Sequence, residues 1–217
     1  MSLTSQQYAG LANHAYENQP VGIHPPNEDQ GVPIEGITYR IREHVNNPRT
    51  GYQGTVYERV DTGDIVVAHR GTEQVLQDGT LADGGMVLAR TNMQAADAIA
   101  LTRRAVERAE ATGRRTGQAP EVTVTGHSLG GCLAQITAHH FNLKGETFNA
   151  YGAVSLEKLR IPAGGNAVIN HVMAADPVSA VRTTGRCGCM PRRSRSPRCP
   201  ATATRTIATS CSMTAPS

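Results

Sequence analysis

The stretch VTVTGHSLGG, residues 122–131, constrains the fold more than any other part of the chain. Alternating β-branched residues predict a short strand over 121–125, and LGGCLAQITAHHF predicts a helix directly after the turn. Gly126, Ser128 and Gly130 have the G-x-S-x-G spacing of a serine held on a tight strand-to-helix turn, where only small neighbours fit. The pattern therefore predicts a nucleophilic serine at the edge of a sheet. The alternative is a glycine-serine turn that only packs.

The rest of the chain alternates strand and helix patterns. IVVA, residues 65–68, is a continuous apolar run that suits a central strand covered on both faces. ITYRIREHV and YQGTVYERV flank the turn NNPRTG and predict a hairpin. Residues 92–111 predict a long helix, whereas the glycine-rich residues 74–91 predict an irregular segment, either a lid or a surface loop. This order predicts an α/β protein with a mostly parallel central sheet and helices on both faces.

Length and charge limit the function classes. A chain of 217 residues can form one domain with a substantial core. The net charge is +3, but the residues from 177 onward hold seven arginines and no acidic residue, so the preceding part is mildly acidic. That balance argues against a nucleic-acid partner. We expect a folded domain over residues 1–182 and a disordered, non-native tail over residues 183–217.

Targeting signals are not evident in the sequence. The first 20 residues lack the basic start and apolar block of a signal peptide, and no apolar run is long enough to span a membrane. The sequence therefore predicts a cytoplasmic protein by default and leaves export by a specialised secretion system open.

Three segments carry a family resemblance. VVAHRGT, VTVTGHSLGG and NHVMAADPV, in this order, resemble the class 3 lipases, a branch of the α/β-hydrolases, and YAGLANHAY resembles the start of their bacterial members. The chain is also similar to lipase-like enzymes that some bacteria deliver into competitors. The resemblance implies an α/β-hydrolase fold and hydrolysis of lipid esters, as a triacylglycerol lipase or a phospholipase. The expected partners are a lipid or phospholipid ester, transient contact with a membrane surface, and a delivery or immunity protein whose identity the sequence does not give. We expect no cofactor and no metal.

The resemblance also implies the site residues. Ser128 would be the nucleophile, and the backbone N–H of Leu129 and the residue Thr72 would form the oxyanion hole. Asp176 would be the acid. It follows an apolar strand at its carboxyl end, where catalytic residues of parallel sheets gather. Read from the residues alone, an Asp-Pro turn at Asp176 and an ordinary turn at Thr72 remain open.

The sequence offers no suitable catalytic base. None of its eight histidines follows Asp176. His171 lies five residues before Asp176 in the same predicted strand, about 16 Å away, so it cannot be oriented by that carboxylate. Two hypotheses follow. Either the chain is a Ser-Asp-His ester hydrolase whose histidine is missing from this sequence, or it is a catalytically inactive or truncated lipase-like protein with at most a lipid- or partner-binding role.

The composition of the tail suggests where the histidine was lost. In residues 183–217, 32 of 35 residues have codons with G or C at the second position. In a GC-rich gene the third position is the one so uniformly G or C, so the tail has the composition of a coding sequence read out of frame. We therefore expect a frameshifted C-terminus that lacks the last part of the fold. An alternate reading frame without a histidine codon after Asp176 would contradict this.

Overall fold

One sheet organises the part of the chain that the structure describes. The computed structural model describes residues 2–24, 31–71, 84–150 and 168–172, and only the backbone of residues 84–90 and 205–207. The helices are α1 (Ser5–His14), α2 (Gly84–Thr116) and α3 (Leu129–Phe141). The strands are β1 (Gly22–Ile23), β2 (Val32–Ile34), β3 (Ile37–Asn47), β4 (Tyr52–Arg59), β5 (Ile65–His69), β6 (Val122–His127), β7 (Lys144–Phe148), β8 (Val168–Val172) and β9 (Arg205–Ile207).

The sheet is mixed. Its strand order is β1-β3-β4-β5-β6-β7-β8-β9, with β2 paired to β3 beside this path. Strands β5 to β8 are parallel to one another, whereas the other pairs are antiparallel. The predicted hairpin is confirmed by β3 and β4, which pair from Tyr39 with Arg59 to Asn47 with Tyr52. The parallel part is therefore limited to the four strands that surround the G-x-S-x-G turn.

Helices cover both faces of the sheet, as predicted. In β5 the side chains of Ile65 and Val67 belong to one core cluster, and those of Val66 and Ala68 to a second one. Successive residues of a strand point to opposite faces, so a strand buried on both sides reads as a continuous apolar run. Helices α2 and α3 pack on the first cluster, and α1 packs on the second.

Helix α2 is longer than the sequence predicted. It begins at Gly84 and ends at Thr116, so residues 84–91 are helical and the prediction of an irregular segment was wrong there. Met86, Leu88 and Arg90 are good helix formers, and the glycine pair lies at the helix start, where it lowers stability least. The rest of the proposed lid, up to residue 83, lies outside the described residues.

Helix α1 is fixed at its start by a capping box. The Thr4 hydroxyl accepts a hydrogen bond from the Gln7 N–H, and the Gln7 side chain accepts one from the Thr4 N–H. Two N–H groups that the helix cannot satisfy itself are thereby paired. The cap and the buried Tyr8 and Leu11 set how α1 lies on the sheet, and hence where its C-terminal end meets β6.

Strand β9 pairs antiparallel with β8, Arg205 lying opposite Val172. It falls in the segment predicted to be a tail, and the residues on either side of it lie outside the described part. The division at residue 182 therefore stays a prediction.

Candidate active site

Ser128 occupies a strained turn between β6 and α3. Its φ is 56° and its ψ is −122°, a conformation that a residue with a Cβ rarely adopts. Its N–H donates to the Phe148 carbonyl at 2.9 Å, and its carbonyl accepts from the Cys132 N–H at 3.2 Å. Although Ser128 precedes α3, its hydroxyl does not cap that helix. The backbone is thus held on both sides, and the hydroxyl is left out of the helix hydrogen bonding.

The two flanking glycines are needed because backbones touch there. A Cβ on Gly126 would lie 2.5 Å from the carbonyl carbon of Gly130. A Cβ on Gly130 would overlap the carbonyl oxygen of His69 at the end of β5. The glycine spacing in the sequence therefore marks a site where β5, β6 and α3 meet without room for side chains.

Leu129 is the first residue of α3 and is buried. The first N–H groups of a helix have no acceptor within the helix, and the positive end of its dipole lies there. A backbone donor next to the serine is what an oxyanion hole requires.

The loop after β5 lies directly against Ser128. A Cβ on Gly71 would be 3.5 Å from the Ser128 Cβ and 2.8 Å from the His127 carbonyl oxygen. Arg70 holds this loop, since its N–H donates to the Gln53 carbonyl at 3.0 Å and its guanidinium donates to the Gln53 side chain. Thr72 is the next residue and lies outside the described part of the chain.

Tyr16 is a residue of this site that sequence reasoning missed. Its hydroxyl is 3.1 Å from His127 Nδ1, and its ring lies 5.4 Å from the Arg70 guanidinium. A Cβ on Gly71 would be 2.5 Å from the same hydroxyl. The only signal in the sequence was its place at the end of YAGLANHAY, two residues beyond the observed end of α1 at His14. Tyr16 thus joins the C-terminal end of α1 to both the serine turn and the β5 loop.

All eight histidines of the chain lie in the described residues, and none of them is hydrogen-bonded to the Ser128 hydroxyl. His171 Nε2 is 2.6 Å from Glu146 Oε2, and its ring stacks on Phe148 at 5.1 Å. His44 and His69 are buried in the core, and burial lowers the pKa of both; the pKa of His69 falls to about 3. The described histidines thus serve other contacts.

Asp176 lies outside the described residues, but the strand before it reaches the same sheet edge as Ser128. His127 at the end of β6 is level with Phe148 of β7, which is level with His171 of β8. Strand β8 ends at Val172. The described chain therefore stops four residues before Asp176, at the carboxyl ends of the parallel strands.

A cavity of about 540 Å³ lies beside the serine turn, between α1 and the ends of β6, β7 and β8. Its lining is mainly apolar and includes Ala9, Ala12, Phe148 and Val172, with His127 at the end next to Ser128. A larger cleft, of about 870 Å³, lies at the C-terminal end of α2, at the opposite sheet edge. The smaller cavity is the one lined by His127, the residue before Ser128.

Residues 7–186 match a phospholipase-like family model, that of the Tle-like phospholipase domain. The chain belongs to this family. No curated protein matches its sequence. Solved structures similar to this Tle-like domain include the Lip2 lipase from Yarrowia lipolytica, at 16% identity and a TM-score of 0.46, with 81% of this chain and 72% of that chain covered. A triacylglycerol lipase from Penicillium expansum is 14% identical, with a TM-score of 0.44 and coverage of 76% and 77%.

Family membership and the mixed sheet confirm the expected lipase-like α/β-hydrolase fold. The Tle-like domain thus falls among lipase- and phospholipase-like proteins, a family of lipid ester hydrolases. Among the described helices, none is both long and apolar enough to cross a membrane. Within the described part of the chain, no group of three or more His, Cys, Asp and Glu side chains is arranged to hold a metal ion.

Proposed function

We propose that this Tle-like domain is a serine ester hydrolase that acts on lipid esters, with Ser128 as its nucleophile. The conformation of Ser128 is the observation that carries the proposal. A serine at φ 56° between a strand and a helix needs support from its surroundings, here the backbone hydrogen bonds to Phe148 and Cys132 and the close packing that Gly126 and Gly130 permit. Such strain is characteristic of a functional turn that presents a side chain to a substrate.

The proposed reaction transfers an acyl group twice. Ser128 Oγ attacks the ester carbonyl carbon, the C–O bond to the alcohol breaks, and the alcohol leaves with a proton. Water then attacks the acyl-serine ester, which releases the fatty acid and restores the hydroxyl. We assign the two oxyanion donors to the Leu129 N–H and to Thr72, whose neighbour Gly71 lies against Ser128. We assign the acid that orients a base to Asp176.

The cavity beside His127 supports a substrate with an apolar chain. Its lining from α1 and β7 is mainly apolar, and it adjoins the residue before the nucleophile. A lipid or phospholipid ester fits this chemistry better than a polar ester. Comparing hydrolysis of a triacylglycerol with hydrolysis of a phospholipid decides which of these two esters is the substrate.

None of the eight histidines of this chain is hydrogen-bonded to Ser128 so as to act as the base of the proposed mechanism. Their observed contacts favour a second candidate, a lipase-like domain that binds lipid but turns over slowly or not at all. Loss of one member of a catalytic triad lowers kcat by about 10⁶, and the oxyanion hole and substrate binding alone retain about 10³ over water. A histidine encoded out of frame downstream of Asp176 remains our hypothesis for the lost base.

Hydrolysis of a short-chain p-nitrophenyl ester tests the proposal. We expect slow turnover that Ser128→Ala abolishes, because only the serine can form the acyl intermediate. Ser2→Ala is the control and should leave the rate unchanged, because Ser2 is exposed and lines a cleft with Glu121 and Lys144, at the opposite ends of β6 and β7 from Ser128. A rate that is the same with and without Ser128 would refute the hydrolase and leave the binding domain.

A further inference from the structure

A chain of buried polar groups crosses the core behind the serine turn. It consists of Tyr52 in β4, His69 in β5 and Thr137 in α3, all fully buried. The Tyr52 hydroxyl is 2.8 Å from His69 Nδ1, and His69 Nε2 is 3.2 Å from Thr137 Oγ1. The proposed mechanism does not use these groups, yet buried polar groups in such a row need a complete set of partners.

The partners of Thr137 fix the direction of the hydrogen bonds. Its single hydroxyl proton has two carbonyl acceptors within α3, those of Leu133 and Ala134, each at 3.1 Å. Thr137 therefore donates to the helix backbone and accepts from His69 Nε2–H. His69 Nδ1 then carries no proton and accepts from the Tyr52 hydroxyl. Burial keeps the pKa of His69 at about 3, so the ring stays neutral at physiological pH and this pattern persists.

The backbone of His69 lies against the serine turn. Its carbonyl oxygen lies against Gly130, one residue after Leu129, and a Cβ on Gly130 would overlap it. The loop that leads to Thr72 begins directly after His69, and Gly71 of this loop lies against Ser128. A shift of β5 relative to α3 would therefore change the distance between the two donors.

We propose that His69 is a positioning residue: held between Tyr52 of β4 and Thr137 of α3, its imidazole fixes β5 against α3, keeps the His69 carbonyl and the Gly71 loop against the serine turn, and so sets the geometry of the proposed oxyanion hole. Its effect on turnover rests on the hydrolase function proposed above, whereas its effect on local structure does not. If His69 only stabilised the core, removing its partners would destabilise the whole domain, and the serine turn would be affected no more than any other part of it.

The chain contains a matched control. His44 in β3 is also buried, and its Nδ1 is 2.8 Å from the Thr55 hydroxyl in β4. This pair resembles His69 and Thr137 in chemistry and burial but joins two strands of the hairpin. Thr137→Val and Thr55→Val each remove one hydroxyl that is hydrogen-bonded to a buried histidine. Only Thr137→Val removes a partner of His69.

The experiment compares amide hydrogen exchange of Arg70 and Cys132, whose N–H groups donate to the Gln53 and Ser128 carbonyls, in the wild type and in Thr137→Val, Tyr52→Phe and Thr55→Val. We expect exchange at these two amides to rise by about fivefold or more in Thr137→Val and Tyr52→Phe, the value of one hydrogen bond in a local opening equilibrium. Thr55→Val should leave them unchanged even where it lowers the unfolding midpoint as much. Tyr52→Phe removes a single oxygen and keeps the test available where Thr137→Val does not fold.

Ester turnover gives the second readout. Because misplaced donors weaken the transition state more than substrate binding, kcat should fall about tenfold or more in Thr137→Val with KM within about twofold. His69→Gln, which can both donate and accept, should retain more of kcat than His69→Phe. Equal effects of Thr137→Val and Thr55→Val on the two amides would overturn the proposal. If the wild type shows no turnover that depends on Ser128, the hydrolase proposal fails, and the exchange data alone decide the role of His69.

Discussion

At Ser128 the backbone is held in a conformation that no local preference favours. The surrounding contacts enforce it, since the N–H bonds to Phe148 of the neighbouring strand and the carbonyl bonds to Cys132 of the following helix. Left-handed and related conformations cost an L-residue on the order of 1–3 kcal/mol, which the rest of the fold must offset. The strain is thus a property of the assembled site.

Gly130→Ala should prevent the turn from forming. The added Cβ would overlap the His69 carbonyl oxygen, and neither a Cβ fixed to the backbone nor a backbone carbonyl can rotate aside. We expect a loss of about 3 kcal/mol or more in the free energy of unfolding, measured by urea denaturation. Gly63→Ala is the control: it has a φ of +76° with nothing within 4 Å, so only backbone strain of about 1 kcal/mol should appear. Equal losses in both variants would show that the contact with His69 does not matter.

His69 should make the stability of the fold depend on pH. Its pKa is about 3 in the folded chain and near 6.5 when unfolded, so the unfolded chain binds more protons between these values. The free energy of unfolding therefore rises with pH in this window, and the contribution is fully present above pH 6.5 and lost as the pH falls towards 3. From pH 7.5 to 5.5 the wild type should lose about 1.4 kcal/mol more than His69→Gln, measured by denaturation at both pH values. Identical losses would mean that the ring is not kept neutral by burial.

Among the elements, α2 is joined to the hairpin by a partly buried ion pair. Arg104 donates to Glu43 Oε1 from Nε at 2.8 Å and from Nη2 at 2.7 Å. The Glu43 side chain is 7% exposed and that of Arg104 is 41% exposed. The carboxylate therefore depends on this partner, whereas the guanidinium also reaches water.

Arg104→Met should destabilise the domain by about 2 kcal/mol, because it leaves a buried carboxylate without its cation. The loss should be smaller than for a fully buried pair, since Arg104 is partly exposed. Adding Glu43→Gln should recover most of it, which a double-mutant cycle by urea denaturation would measure. Arg114→Met, whose 3.9 Å pair with Glu110 is exposed, should change stability by less than about 0.5 kcal/mol. No recovery in the double variant would show that packing of the Arg104 stem, rather than charge, holds α2.

For the molecule as a whole, the described strands bring the proposed nucleophile, Ser128, to the carboxyl ends of the parallel strands, and none of the histidines is hydrogen-bonded to its hydroxyl. The described strands β5 to β8 bring Ser128, Gly71 and the approach to Asp176 to one sheet edge. The eight histidines are held by other contacts or lie away from this edge. A complete mechanism therefore needs a base from elsewhere.

Added imidazole should raise the rate of ester hydrolysis by this chain. A diffusible base can occupy the place of the missing side chain, and general-base catalysis contributes about 10²–10⁴ when the base is well positioned, so we expect about tenfold or more. Because imidazole itself attacks activated esters, the rate with Ser128→Ala at the same imidazole concentration is subtracted. A stimulation that remains in full in Ser128→Ala would show that the site is not using the added base.

Much of the sheet could be predicted because its signals are local. The continuous apolar run of β5, the alternation of the hairpin and the glycine spacing around Ser128 each depend on neighbours a few residues apart. The start of α2 could not be predicted, because the glycine pair at 84 and 85 is compatible with either a loop or a helix start.

The sequence by itself determined where the serine turn lies, through its glycine spacing, and it determined the hairpin, the central strand and most of the flanking helices, which follow from short-range backbone preferences and from the period of apolar residues. Only the tertiary structure decided that Tyr16 meets His127, that Gly71 lies on Ser128 and that His69 bridges β4 and α3. These contacts join residues 17 to 111 positions apart. No local pattern encodes such distances, because they arise from how two faces of one sheet pack against three helices.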